Sequence, residues 1–594
     1  MRNAGASFKR ALPYGILAIL ATLAYAGSLR NGFVWDDHFF QNDFQWIDSL
    51  RRAWDMAFTP LFHSSSYLRP LPLLTLYLEA LVSGRSPSTA HAVNLLLHLG
   101  VSFLVYRLSL RAALDVGYGG AKSWVVAVLP SALFAVHPAL TEAVLWVSSR
   151  FDLLATLCML LGLWLSGVSR GPWIRALLVA MTFFLAALSK ESAVVFPVVL
   201  VGYFWLRSES AQAGISLRRA IFTSDHLKIY ILVLIAGLLY LWVRSEMLGS
   251  SALKVGAPSS WERHGSLVAV ALSKYLQLTV LPFFGNSLQH TFMWDELRGA
   301  RDFFPSILLA MLYGTVAVFA LFRSRVVGLW LVLPIVAYLP VLHILPLPVG
   351  PNAANQRFMY FPTGLLLGLI PYVAHRLSIG QELRRGAVVL GWGFVIVSVL
   401  IVRSIVPMWK DDLTLWSWVI RTDPASPAGH GNLITAYVSR GHLIEAERHL
   451  EYVAMNELST GPNVPIDLGS AYLVNGDLER AEYYYDIAES RVNVMLAWQQ
   501  SMLYAQQARL SLELRRPERV AEYLKRGVAA NERNLEVIGQ VLFYCEPLDL
   551  KFNLGRGEMT RAKIIAHATG ERFNKVIGDS MSPQRFCPFE RSLP

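Results

Sequence analysis

Charge is what this chain has least of. Only 16% of its 594 residues are Asp, Glu, Lys or Arg, while 54% are hydrophobic. Soluble domains carry roughly a quarter charged residues, so most of this chain is expected to lie in lipid. Cysteine is nearly absent too, and three residues cannot build a disulfide framework. Cys158 falls in an apolar run, which leaves Cys545 and Cys587 as one candidate pair. There is no G-x-x-x-x-G-K-[ST] loop, no H-E-x-x-H and no C-x-x-C, and the one G-x-S-x-G string, at 167–171, lies in a basic loop between two apolar runs and is no strand-to-helix elbow. ATP-driven, serine-hydrolase and zinc chemistries therefore have no motif to rest on. No N-x-[ST] sequon occurs either, which favours a bacterial inner membrane over the endoplasmic reticulum.

What the chain does have is apolar length. A hydrocarbon core of about 30 Å takes roughly 20 helical residues to cross. Suitable runs lie near 11–27, 89–110, 123–138, 146–167, 173–188, 191–206, 227–244, 266–284, 303–322, 327–345, 358–374 and 386–408. The first, preceded by Arg2, Lys9 and Arg10, is expected to be a retained span. The net charge of +11 is unevenly placed: residues 411–594 hold 20 Lys/Arg against 24 Asp/Glu, and residues 1–410 hold 33 against 18. Basic charge confined to short loops between spans is the positive-inside pattern and needs no nucleic-acid partner. The clusters at Arg107/Arg111, Arg170/Arg175, Arg218/Arg219, Arg323/Arg325 and Arg384/Arg385 share one side if eleven of the twelve runs cross. Run 266–284, which contains Lys274, is the candidate re-entrant segment. The loop 28–88 and everything after 408 would then be external.

The tail reads differently. Leu433, Tyr437, Gly441 and Ala446 recur 35 residues later as Leu468, Tyr472, Gly476 and Ala481. That spacing is close to the 34-residue tetratricopeptide period, a helix pair turning at a glycine. A weaker third unit covers 495–529, with Ala521 in the small-residue position. The whole chain is thus expected to be all-α, with a polytopic membrane domain at 1–410 and a helical repeat domain at 411–594.

Ionisable residues cluster at the expected external face, where charge is costly and usually functional. "NGFVWDDHFFQND" places Asp36 and Asp37 just past the first span, with Asp43 behind. They can cap a helix starting near Phe39, or serve as a general base, since apolar neighbours raise a carboxylate's proton affinity. "FAVHPALTEAVLWVSSRFDLLA" supplies His137, Glu142, Arg150 and Asp152. If one helix begins at Glu142, then Glu142, Trp146 and Arg150 share a face, as a stabilising pair or as part of a site. Lys190 and Glu191 head another span, where snorkelling is the plain alternative. Arg357 stands at the mouth of "FMYFP", as an interfacial anchor or as a fork for phosphate.

Taken together, "FVWDD", "YLRPLPLLT" with Arg69, "HPALTEAV", "SRFDLLA", "SKES" and "NQRFMYFP" resemble multi-span glycosyltransferases of the GT-C fold. More narrowly, they resemble the transmembrane-and-tetratricopeptide protein O-mannosyltransferases and their bacterial relatives. The resemblance implies inverting transfer of a sugar from a polyprenyl-phosphate donor to a hydroxyl on the external, periplasmic or lumenal, face. Asp36 or Asp37 would be the base. Arg357, with Arg150 or Lys190, would hold the departing phosphate, and Arg69, His137, Glu142, Asp152 and Glu191 would line the substrate site. The acceptor would be an exported protein or a glycolipid, with the repeats available to bind it. A divalent metal is compatible with an aspartate pair, but no ligand set stands out and no cofactor is assigned. Gln356 departs from the family, which tends to have Glu there. Two rivals remain: an O-antigen ligase or polymerase using a lipid-diphosphate donor, and a transporter or membrane-anchored repeat scaffold.

Overall fold

The computed structural model describes residues 2–44, 47–61, 67–248, 261–283, 290–291, 300–344, 352–377, 380–458, 460–532, 534–546, 556–577 and 580–588. Their regular structure is helical apart from a short antiparallel ribbon that pairs His290–Thr291 with Asn352–Ala354. The chain forms two compact units. One comprises Met1–Gln45 and Leu68–Leu415, the other Trp46–Tyr67 and Trp416–Pro594. Part of the first long loop, with its helix Leu50–Ala57, thus belongs with the tail.

In the first unit each of the twelve apolar runs is helical over most of its described residues. Among the described residues, eight helices are long and apolar enough to cross a membrane, or nine if a bent pair counts as one span. The eleven crossings expected from the runs include shorter helices, such as Pro172–Ala187 with 16 residues. At 1.5 Å per residue that helix spans only about 24 Å. Gly265–Val280, within the suspected re-entrant run, is likewise among the short apolar helices.

The bent pair matters for the site. Ala121–Ala135 meets Pro138–Leu145 at 55°. Proline has no amide hydrogen to offer the preceding turn, so the chain breaks at His137–Pro138 and continues in short helical steps. A second break follows at Trp146, which is extended (φ −86°, ψ 120°), before the helix Arg150–Leu165 begins. The expected continuous helix carrying Glu142, Trp146 and Arg150 on one face therefore does not form. The chain instead aims each of the three differently.

The second unit is a series of helical hairpins: Pro427–Ser439 with Leu443–Met455, Val464–Asn475 with Leu478–Ser490, Ala497–Glu513 with Pro517–Ala530, and Leu535–Tyr544 with Arg556–Val576. Gly441 and Gly476 take the left-handed turn conformation (φ 74° and 80°), which glycine adopts without steric cost. Ala446 and Ala481 are fully buried against their partner helices. In the third hairpin Arg515 takes the left-handed turn (φ 54°), which is why no glycine marks it. Val520, and not Ala521, is its fully buried contact. The fourth hairpin has no counterpart in the sequence repeat.

Cys545 and Cys587 are bonded, 42 residues apart in sequence, beside Tyr544, Phe573 and Phe586. Closing a loop of that length removes roughly 4 kcal/mol of unfolded-state entropy in the chain-entropy model. Reductant is therefore expected to lower the melting temperature of the helical tail, read by circular dichroism on the detergent-solubilised full chain. An unchanged melt would show that the bridge adds nothing.

Candidate functional site

The two aspartates are not equivalent. Asp37 is buried, at 1% exposure. Its Oδ1 accepts from the Ser148 amide at 2.8 Å and from the Ser148 hydroxyl, and its Oδ2 accepts from the Val34 amide at 3.2 Å. This carboxylate ties the first loop to the "WVSSR" turn. Burial still raises its proton affinity, although the hydrogen bonds oppose the shift. Asp36 is half-buried, and among the described residues its carboxylate accepts no side-chain hydrogen bond. Burial pushes it up to about 6, with the Arg357 and Arg69 charges pulling the other way.

Two cations, Arg357 and Arg69, act on it electrostatically, and a third, Lys190, shares the Phe358 ring with Arg357; each is anchored by its own carboxylate. Arg357 pairs with Glu142 through Nη1, and its backbone amide donates to the same carboxylate at 2.8 Å. Its guanidinium lies over Phe358 at 4.8 Å and Trp146 at 5.1 Å, with Trp35 at 6.0 Å. Trp35 and Trp146 stack with ring centres 4.5 Å apart. Lys190 pairs with Asp152 and sits over the same Phe358 ring at 4.5 Å. Arg69 grips Glu191 through Nε and Nη2, at 3.0 and 2.9 Å from Oε2, and covers Phe151 at 4.9 Å.

The local sequence explains these positions. Arg69 precedes a helix begun by Pro70, and the next amide, Leu71, donates to Leu188 beside the Lys190 turn. The break at Trp146 turns Glu142 toward Arg357, and Asp152 lies in the first turn of the helix that follows. Arg357 enters on a short turn after Asn355, whose amide donates to the Tyr275 hydroxyl. Phe358, Trp35 and Trp146 give the cations apolar faces and exclude water around their charges.

Two expected members lie elsewhere. Arg150 is fully buried, and its guanidinium contacts Glu79 at 2.9 Å, Asn94 at 2.9 Å and the Ala90 carbonyl at 3.0 Å. A guanidinium held this way pins two helices together and does not reach for phosphate. His137 donates through Nε2 to the Thr279 carbonyl at 3.2 Å. It lines an apolar cavity of about 310 Å³ with Leu133, Thr363, Leu366, Leu390 and Phe394. Its ring hydrogen bond goes to Thr279 and not to a charged member of the cluster. The Asp43 side chain and loop residues 345–351 before Arg357 lie outside the described residues.

A metal does not fit here. Both Asp37 oxygens are occupied by Ser148 and Val34, and Asp36 faces two arginines. Among the described residues no three His, Cys, Asp or Glu side chains converge as a metal would need.

Sequence reasoning missed Glu79, Ser148, Trp35 and Phe358, and it placed Trp146 on a helix face that does not form. Glu79 and Ser148 have no sequence signal, lying 71 and 111 residues from Arg150 and Asp37, the groups they bind. The aromatic platform was visible only as aromatics beside charges.

The chain is similar to protein O-mannosyl-transferases. Tmtc1 of Drosophila melanogaster is 34% identical over 185 residues, 30% of this chain and 20% of the relative. Tmtc2 of the same organism is 30% identical over 326 residues, 50% of this chain and 33% of the relative. Human TMTC3 is 32% identical over 197 residues, 30% of this chain and 20% of the relative. The aligned part thus spans between a fifth and a third of these relatives' lengths. No family model and no solved structure matches the chain.

Proposed function

We propose that this chain is an integral-membrane glycosyltransferase that moves a sugar from a polyprenyl-phosphate donor to a protein hydroxyl, with inversion at the anomeric carbon. The observation that carries the reading is Asp36, a half-buried carboxylate within electrostatic reach of Arg357 and Arg69, with Lys190 and Arg357 both over the Phe358 ring. In this reading Asp36 takes a proton and the three cations receive an anion. Asp36 removes the proton of a Ser or Thr hydroxyl as its oxygen attacks the anomeric carbon, and the bond from that carbon to the phosphate oxygen breaks. The phosphate leaves with one additional negative charge, which the cations stabilise where it develops. Arg357 gives Nη1 and its backbone amide to Glu142, so Nε–H and Nη2–H have no partner among the described residues and remain for phosphate. The relatives' names favour mannose and a protein acceptor. The stacked hairpins of the second unit offer a surface suited to an extended acceptor chain.

The site and the helical tail are external in this reading, periplasmic in a bacterium or lumenal in a eukaryote. The basic loop clusters support this orientation, as does the Cys545–Cys587 bond, which persists in oxidising compartments. The test is transfer by the purified chain from polyprenyl-phosphate mannose to a Ser/Thr-rich polypeptide, with polyprenyl-diphosphate sugar and a lipid acceptor as parallel arms. Glycosylated polypeptide from the monophosphate donor is expected. Turnover of the diphosphate donor alone, or of neither, overturns the proposal.

A further inference from the structure

We infer that Asp412, just beyond the last apolar helix, is a positioning residue that sets the aim of Asp36 through the backbone of Trp35. The inference rests on Asp36 acting as the base.

Trp35 has φ 57°, a left-handed backbone conformation that is sterically costly for a bulky side chain. Such strain persists only where the surroundings over-determine it. Two of its contacts bear directly on this. The Trp35 amide donates to Asp412 Oδ1 at 2.8 Å, and its ring stacks on Trp146 at 4.5 Å. The other oxygen of the same carboxylate, Oδ2, meets His38 Nε2 at 2.6 Å. Asp412 therefore grips the residue before the aspartate pair and the residue after it.

The grip is the end of a longer seam. The Asn31 side-chain amide donates to the Val406 carbonyl at 3.0 Å, and the Gly32 amide to the Lys410 carbonyl at 2.9 Å. The first loop is thus laid along the exit of the last span, 375 residues away in sequence. Without Asp412 the Trp35 amide loses this acceptor, and relaxation of its φ would swing the adjoining Asp36 and the Trp35 ring beside Arg357. Misplacement of a reacting group by about 1 Å costs on the order of 10²-fold in rate.

Two variants separate positioning from general support. In Asp412→Asn the amide oxygen can still accept from Trp35. Asp412→Ala removes the acceptor altogether. Two measurements on the full chain apply: hydrogen–deuterium exchange of the peptide spanning 31–41, and kcat and donor KM for transfer. Asp412→Ala is expected to expose the Trp35 amide to exchange and to lower kcat by about 10–100-fold at unchanged KM. Asp412→Asn should restore protection and most of kcat. If exchange is unchanged in Asp412→Ala, or Asp412→Asn is no better than Asp412→Ala in both measurements, the inference fails. If exchange rises as expected while the wild-type chain transfers no sugar, the positioning contact stands and the glycosyltransferase reading falls.

Discussion

Asp36→Asn is expected to fold, to keep its lipid-phosphate donor and to lose about 10²–10⁴-fold in transfer rate, the range a general base contributes. Asparagine matches aspartate in shape, and among the described residues the Asp36 carboxylate accepts no side-chain hydrogen bond that the change would break. A purely structural Asp36 would show near-normal turnover. Asp37→Asn should behave differently. An amide nitrogen would meet a donor of Ser148 or Val34 in place of an acceptor oxygen, so a lower melting temperature is expected along with any loss of rate. If Asp37→Asn keeps its melt and loses more turnover than Asp36→Asn, the two roles are reversed. If both variants fold and turn over within about threefold of wild type, neither carboxylate is the base and the mechanism is wrong.

The pH profile adds a second readout. Asp36 must be ionised to accept a proton, and burial raises it from the usual carboxylate range near 4 to about 6. The rate should therefore fall as pH drops through about 6, well above where an exposed carboxylate would titrate. Because Arg357 lowers the Asp36 proton affinity, removing its charge should move this acidic limb to higher pH. An acidic limb that stays put in a charge-removing variant would separate Asp36 from Arg357.

Arg357 carries the other large effect. It touches phosphate before and during the reaction in this mechanism, so its loss should raise donor KM as well as lower kcat. Charge-assisted hydrogen bonds contribute about 1.5–3 kcal/mol, or roughly 10–150-fold in binding. Loss of a preorganised donor costs on the order of 10²–10³-fold in kcat. Arg357→Ala alone would strand Glu142, which is 1% exposed, and breaking such a pair destabilises by about 3–5 kcal/mol. Two variants avoid this ambiguity. Arg357→Lys keeps the charge and loses the planar fork, so its acidic limb stays near about 6 while donor KM rises. Arg357→Met combined with Glu142→Gln removes both charges and should move the limb upward. Arg150→Lys is the contrast: with its guanidinium bound to Glu79, Asn94 and Ala90, it should lower the melt and leave donor KM alone. A raised KM in Arg150→Lys, with Arg357→Lys unaffected, would transfer the phosphate role to Arg150.

Much of this protein was legible in the order of its residues. Apolar run length determined where helices form, because a run long enough for a hydrocarbon core has few other folded options. The 35-residue spacing of Gly441 and Gly476 determined the first two hairpins, since the left-handed turn needs glycine and the crossing needs a small residue such as Ala446. The third turn, at Arg515, and the fourth hairpin left no such mark. Charge among apolar residues pointed to Asp36, Arg69, Glu142, Asp152, Lys190, Glu191 and Arg357, because desolvated charges are rarely kept without partners. Which charge met which was decided only in three dimensions. Asp37 found Ser148 across 111 residues, Glu142 found Arg357 across 215, and His38 found Asp412 across 374. The break at Trp146 sent Arg150 to Glu79 and left Arg357 paired with Glu142, within electrostatic reach of Asp36. Sequence spacing governs contacts only within a helix turn or two. Ion pairs in a bundle are set by which helices pack together and how each is rotated, and that is a property of the whole fold.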